Sequence, residues 1–209
     1  MKISKIRIKN YRGIKNSGWI EFDRLNAIVG KNDAGKSSIL HAINDFYNES
    51  KLAEGNKYFG AGDEETEIEI CFYGEELITV PKVILDENGY LHIKKTSSNV
   101  GESYKTYIIA NDFGKADYKN MFQQTAAKMK TIFKTFGKEV PDIINKEKML
   151  ELCSEIICSE ESYVIEEHEL KGSMLKEIIK PLYPQFSLFL ADTNLDTSTS
   201  SFQNQFKKI

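Results

Sequence analysis

Eight residues restrict this chain more than any others: Gly30-Lys31-Asn32-Asp33-Ala34-Gly35-Lys36-Ser37. The spacing G-x-x-x-x-G-K-S lets successive backbone N–H groups turn inward onto phosphate oxygens where a Cβ would obstruct them, so Gly30 and Gly35 have a steric reason to be glycine. A helix starting at Lys36 would aim its positive end at the same phosphates. Lys36 can then reach the β- and γ-phosphates, and the Ser37 hydroxyl can ligate the Mg²⁺ that bridges them. The expected nucleotide contacts are Gly30, Asn32, Asp33, Ala34, Gly35, Lys36, Ser37 and Ser38, with Ser37 on the metal. ATP and Mg²⁺ are the implied ligands.

The flanks agree with that order. Leu25-Asn26-Ala27-Ile28-Val29 is a mostly apolar run ending in glycine, as a buried strand would be. From Lys36 the period becomes helical, with Ile39, Ile43 and Phe46 on one stripe. Upstream, Ser4 to Lys9 alternates apolar and charged residues, which predicts a strand with Ile6 and Ile8 inward, and a second short strand is expected around Trp19 to Phe22. Strand patterns return at Thr66–Phe72, Val80–Leu85, Tyr90–Lys95 and Tyr104–Ile109, which predicts an antiparallel layer. Helical patterns follow at Lys115–Phe136, Lys146–Ile157 and Leu170–Ile179, then a buried strand at Phe186–Ala191 and a polar tail starting another helix. The expected division is 1–110 as P-loop and β-layer core, 111–185 as a helical subdomain, and 186–209 as that strand and helix start.

With 209 residues, 41% of them hydrophobic, the chain can bury a proper core. Apolar stretches such as Phe186–Ala191 are far too short to span a bilayer, so no membrane role and a cytoplasmic location are expected. Cys71, Cys153 and Cys158 match no zinc or disulfide spacing and read as reduced and structural. A net charge of -3 is not the footprint of a dedicated nucleic-acid binder. Charge is uneven, however: six of the first fifteen residues are basic, whereas Asp63 to Glu69 holds five carboxylates. Two solvated segments would explain this; any nucleic-acid contact would fall on Lys5, Arg7, Lys9 and Arg12.

Ile3-Ser4-Lys5-Ile6-Arg7-Ile8-Lys9-Asn10-Tyr11-Arg12-Gly13-Ile14, followed by Leu25 through the loop to Ser38-Ile39-Leu40, resembles the opening of RecF/SMC-type ABC ATPases. Among them it is most similar to the overcoming-lysogenization-defect (OLD) family and its relatives in DNA repair and phage defence. The match covers about the first 48 residues. It implies an α/β P-loop NTPase of the ABC head type with an antiparallel β-layer and a helical subdomain. Two such heads sandwich two ATP molecules, each P-loop facing a signature motif of the other subunit, and a Walker B aspartate-glutamate pair completes the site. The expected partners are DNA, a second copy of the chain, and a missing C-terminal half or partner subunit. The chain thus reads as an incomplete head.

Neither downstream motif is placed. Val83-Ile84-Leu85-Asp86-Glu87 imitates Walker B but runs into Asn88-Gly89, a turn signal. Leu170-Lys171-Gly172-Ser173 and Asp192 have nearly signature-to-Walker-B spacing, yet Thr193 stands where the glutamate belongs. Gln123 and Gln124 lie in an expected helix and not after a strand, so no Q-loop is assigned. His41, His92 and His168 have no nucleophile beside them, and Glu166, Glu167 and Glu169 read as a solvated helical face. Two other functions fit a P-loop. A non-hydrolysing assembly module would retain binding without turnover, and a small-molecule kinase would need lid arginines that Arg7, Arg12 and Arg24 do not supply.

Overall fold

In a computed structural model of the chain, residues 1–31, 35–142, 145–170 and 179–188 are described. Six antiparallel strands form one sheet in the order β2-β1-β3-β4-β5-β6. They are β1 Lys2–Tyr11, β2 Ile14–Glu21, β3 Thr66–Tyr73, β4 Leu91–Ser97, β5 Lys105–Phe113 and β6 Tyr163–Glu169. Helix α1 spans Lys36–Asn48, α2 Ala126–Thr135 and α3 Lys146–Ile157. This is a mixed α/β fold built on one antiparallel sheet.

The alternation read in β1 is realised. Ile6 and Ile8 are fully buried, as are Ile68 and Ile70 of β3 and Ile93 of β4. Register pairs Ile6 with Ile70 and Ile8 with Ile68, so these side chains share one face. Phe46 of α1 reaches that face, with its ring 6.0 Å from Phe72. Lys5, Arg7 and Lys9 therefore project from the opposite face. Helices α2 and α3 join the same core through Met129, Phe133, Leu150 and Cys153.

Several expectations fail for identifiable reasons. Leu25–Val29 is not a strand: it enters no ladder among the described residues, and Leu25 is 92% and Val29 87% exposed. An apolar run becomes a strand only where a neighbour takes its backbone groups. Val80–Leu85 is a short 3₁₀ turn at Lys82–Ile84 instead of a strand, with Val83 and Ile84 buried. Pro81 begins it and cannot donate to a ladder. The helix expected over Lys115–Phe136 is broken at Asn120, whose φ is +57°. There the Asp112 carboxylate accepts the N–H groups of Asn120 and Met121, at 2.8 and 3.3 Å, and α2 restarts on the Thr125 cap.

The acidic segment 166–169, expected on a helix, is in β6. Period-two alternation is obscured there because this edge strand exposes Val164 and Ile165 and draws its polar residues into ion pairs. Lys119 meets Glu166 at 2.9 Å, and Lys94 meets Glu167. His168, far from being a surface residue, is buried with Nε2 3.0 Å from Asp112. β5 crosses the expected 110/111 division, and β6 returns from the helical segment to the same sheet. Phe186–Leu188 enters no ladder; Leu170 and Ile179 are buried, while 171–178 and 189–209, including Asp192 and Thr193, lie outside the described residues.

Candidate nucleotide site

Helix α1 is fixed from below by a buried polar contact as well as by Phe46. Asp45, 4% exposed, accepts the Tyr11 hydroxyl and the Asn56 amide, each at 2.8 Å. Burial, and then this hydrogen bond, push the Tyr11 phenol well above its ordinary value, so it remains a donor. The end of β1 is thereby tied to the body of the helix that carries the loop.

At the other end, Gly35 has φ +82° and caps α1. That left-handed conformation is the reason for glycine here, since an added Cβ would meet only Ile14 Cγ1 at an ordinary 3.7 Å. No side chain caps the helix among the described residues, and its first turn holds no carboxylate. The orphan N–H groups of Lys36, Ser37 and Ser38 consequently face outward with the positive end of the helix dipole, an arrangement suited to phosphate. Ser37 is exposed and Ser38 half-buried. Lys36 Nζ folds back over the loop and donates to the carbonyls of Gly30 at 2.7 Å and Lys31 at 2.5 Å. These are exposed contacts for which a charged phosphate can compete. Asn32, Asp33 and Ala34 lie outside the described residues.

Arg12 stands at the two-residue turn between β1 and β2, with φ +49° and its N–H bonded to Asn56. Burial and then the Arg12 charge hold the imidazole of His41 on α1 below its ordinary value. Three other basic residues of the first strand are engaged on the opposite face. Arg7 is ion-paired with Glu69, Lys9 with Glu67 at 3.0 Å, and Lys5 lies over the Trp19 ring at 4.6 Å. The basic opening and the acidic 63–69 segment, separate in sequence, are thus neighbours that neutralise each other.

Asp86-Glu87 can be set aside as Walker B. Asp86 Oδ1 accepts the N–H groups of Asn88 and Tyr90, at 2.8 and 2.9 Å, and so shapes a turn. Its other oxygen is near His92, the register partner of Cys71 and hence on the sheet face away from Phe72 and α1. Gln123 also forms no Q-loop here, because its amide bonds the Glu169 carbonyl at 3.0 Å.

The sequence profile of the AAA ATPase domain matches residues 1–208, and the chain belongs to that family. It is also similar to an ATP/GTP phosphatase of Helicobacter pylori (strain ATCC 700392 / 26695), with 46% identity over 41 residues. That similarity covers 20% of this chain and 11% of the relative's length. Membership of an ATPase family and the geometry at the start of α1 agree on nucleotide binding as the chemistry of this domain. No helix among the described residues is long and apolar enough to cross a membrane.

Proposed function

We propose that this chain is the ATP-binding N-terminal lobe of a RecF/SMC-like ABC ATPase, nearest in kind to the OLD family, acting on DNA in the cytoplasm during repair, recombination or phage defence. The observation that carries the reading is the Gly30–Ser38 loop at the uncapped start of α1, within a chain matched over 1–208 as an AAA ATPase domain. ATP and Mg²⁺ bound there close a homodimer, and closure alters the grip on DNA or controls an attached nuclease. Exposed Leu25 and Val29, immediately before the loop, are apolar surface that a completing segment or second subunit would cover.

Turnover requires more than the described residues offer. Phosphoryl transfer needs a positioned water and neutralisation of developing charge, besides the held γ-phosphate and Mg²⁺. The described residues supply Gly30, Gly35, Lys36 and Ser37 but no Walker B glutamate near them. Losing one preorganised group costs roughly 10²- to 10³-fold, so the chain alone binds ATP and turns it over near background. The test is phosphate release by the purified chain beside Lys36→Ala, with and without its downstream half. Brisk multiple turnover by the chain alone would overturn the incomplete-head reading; binding without turnover even with the completing half would favour a nucleotide-dependent assembly module.

DNA contact is assigned to the first strand and its corner, through Lys5, Arg7, Lys9 and Arg12. Because Arg7 and Lys9 are shared with carboxylates, the contact is weak and salt-sensitive. Reversing Lys5, Arg7 and Lys9 to glutamate flattens the log–log salt dependence by about 0.9 for each phosphate that is no longer neutralised. An unchanged slope would place the DNA surface elsewhere.

A further inference from the structure

The sheet face turned away from α1 carries a cluster that nucleotide binding does not use. Cys71 on β3 and His92 on β4 are register partners, so their side chains stand side by side. The turn at 86–89 brings Asp86 back to them. One donor atom from each of Cys71, Asp86 and His92 lies within 4.8 Å of the other two, and His92 Nδ1 is 3.7 Å from Asp86 Oδ2. Such a separation is too long for a hydrogen bond but suits two ligands of one ion. Tetrahedral zinc with bonds of about 2.0–2.3 Å sets its donors roughly 3.3–3.8 Å apart, so the thiol needs to move by about an ångström at most.

The surroundings orient each donor. Asp86 Oδ1 is held by two backbone N–H groups, which leaves Oδ2 for the cluster. His92 Nε2 is 2.6 Å from Glu69 Oε1, fixing a proton on that nitrogen and presenting the Nδ1 lone pair toward Asp86. Glu69 is in turn gripped by Arg7. A carboxylate that accepts from the far nitrogen of a ligating imidazole is a recurrent support of metal sites. Cys71 is fully buried and Asp86 6% exposed, and Trp19 packs against His92 with ring centroids 5.7 Å apart.

We propose that Cys71, Asp86 and His92 bind a zinc-class divalent ion through one sulfur, one oxygen and one nitrogen, with water in the fourth position. The mixed soft donor set selects against Mg²⁺, so this ion is distinct from the one at Ser37. Its effect is to tie the 86–89 turn to the middle of the sheet, on the face opposite the nucleotide.

Cobalt(II) titration of the purified chain tests this, in a Cys158→Ser background because that thiol is exposed. One equivalent should give a near-ultraviolet thiolate-to-cobalt band with the visible bands of a four-coordinate site, and zinc should displace it. Cys71→Ser abolishes the thiolate band, and Glu69→Gln weakens binding by about 10- to 100-fold. Absence of the band in the parent, or its survival in Cys71→Ser, overturns the site. If circular dichroism shows that Cys71→Ser does not fold, His92→Gln decides in its place: unchanged cobalt affinity there overturns the proposal, and abolished affinity in a folded variant upholds it.

Discussion

Ile3–Ile8 and Leu25–Val29 are both apolar enough in sequence to form strands, and the molecule treats them oppositely. The first lies between β2 and β3, with both edges laddered and Ile6 and Ile8 sealed from solvent. The second has no partner strand among the described residues and leaves Leu25 and Val29 in water. Hydrophobicity alone therefore did not decide burial; the supply of neighbouring backbone did. The stable part of this chain is the sheet with α1 seated on it, and the motif proposed to serve nucleotide lies between that helix and a segment that joins no ladder among the described residues.

This contrast can be broken most directly at Phe46, fully buried against Phe72 and Tyr183. Phe46→Ala should cost about 3–5 kcal/mol by denaturant unfolding. A much smaller loss would mean that α1 is not anchored to the sheet as described. At the loop the expectation reverses. Lys36→Ala should leave unfolding unchanged yet weaken ATP·Mg²⁺ binding by roughly 1.5–3 kcal/mol, one to two orders of magnitude by calorimetry. Unchanged affinity would end the P-loop assignment.

A smaller effect concerns pH. Burial raises the Asp112 carboxyl, but His168, with Nε2 3.0 Å away, and the backbone N–H groups of Asn120, Phe113 and Met121 outweigh it and hold the group below the usual aspartate range. With the folded value depressed, its contribution is fully present above the unfolded value of about 3.9 and is lost as pH falls through the folded one. Asp112→Asn should therefore lower stability at neutral pH and flatten its decline below about pH 4. Equal slopes for both proteins in urea unfolding at several acidic pH values would contradict the pairing. Smallest of all, Leu25→Ser and Val29→Ser should each change stability of the isolated chain by less than about 0.5 kcal/mol, as exposed sites do. A large loss would show that this run is packed after all.

Where period and spacing were clean, the sequence was a good guide. The alternation of Ile6 and Ile8, the stripe of Ile43 and Phe46, and the span of α3 all appear where the pattern put them. Legibility failed where a local rule met a longer-range one. β6 was unreadable because an edge strand has little to bury, and the long helix after β5 was interrupted by Asp112, a residue outside the segment whose period was being read. The metal-type cluster was equally hidden. Cys71, Asp86 and His92 match no linear spacing, since they meet through strand register and a turn.

The loop proposed to hold phosphate is legible as a motif in the chain alone, because the chemistry proposed for it is local: a glycine whose φ is positive, a lysine and a serine at the start of a helix need no distant partner. Which charges are available was settled only by folding. Arg7 and Lys9 read as a free basic edge until β3 is laid beside β1 and Glu69 and Glu67 take them up. Ion pairing depends on the distance between side chains and not on their separation along the chain, and here the paired residues are 62 and 58 positions apart.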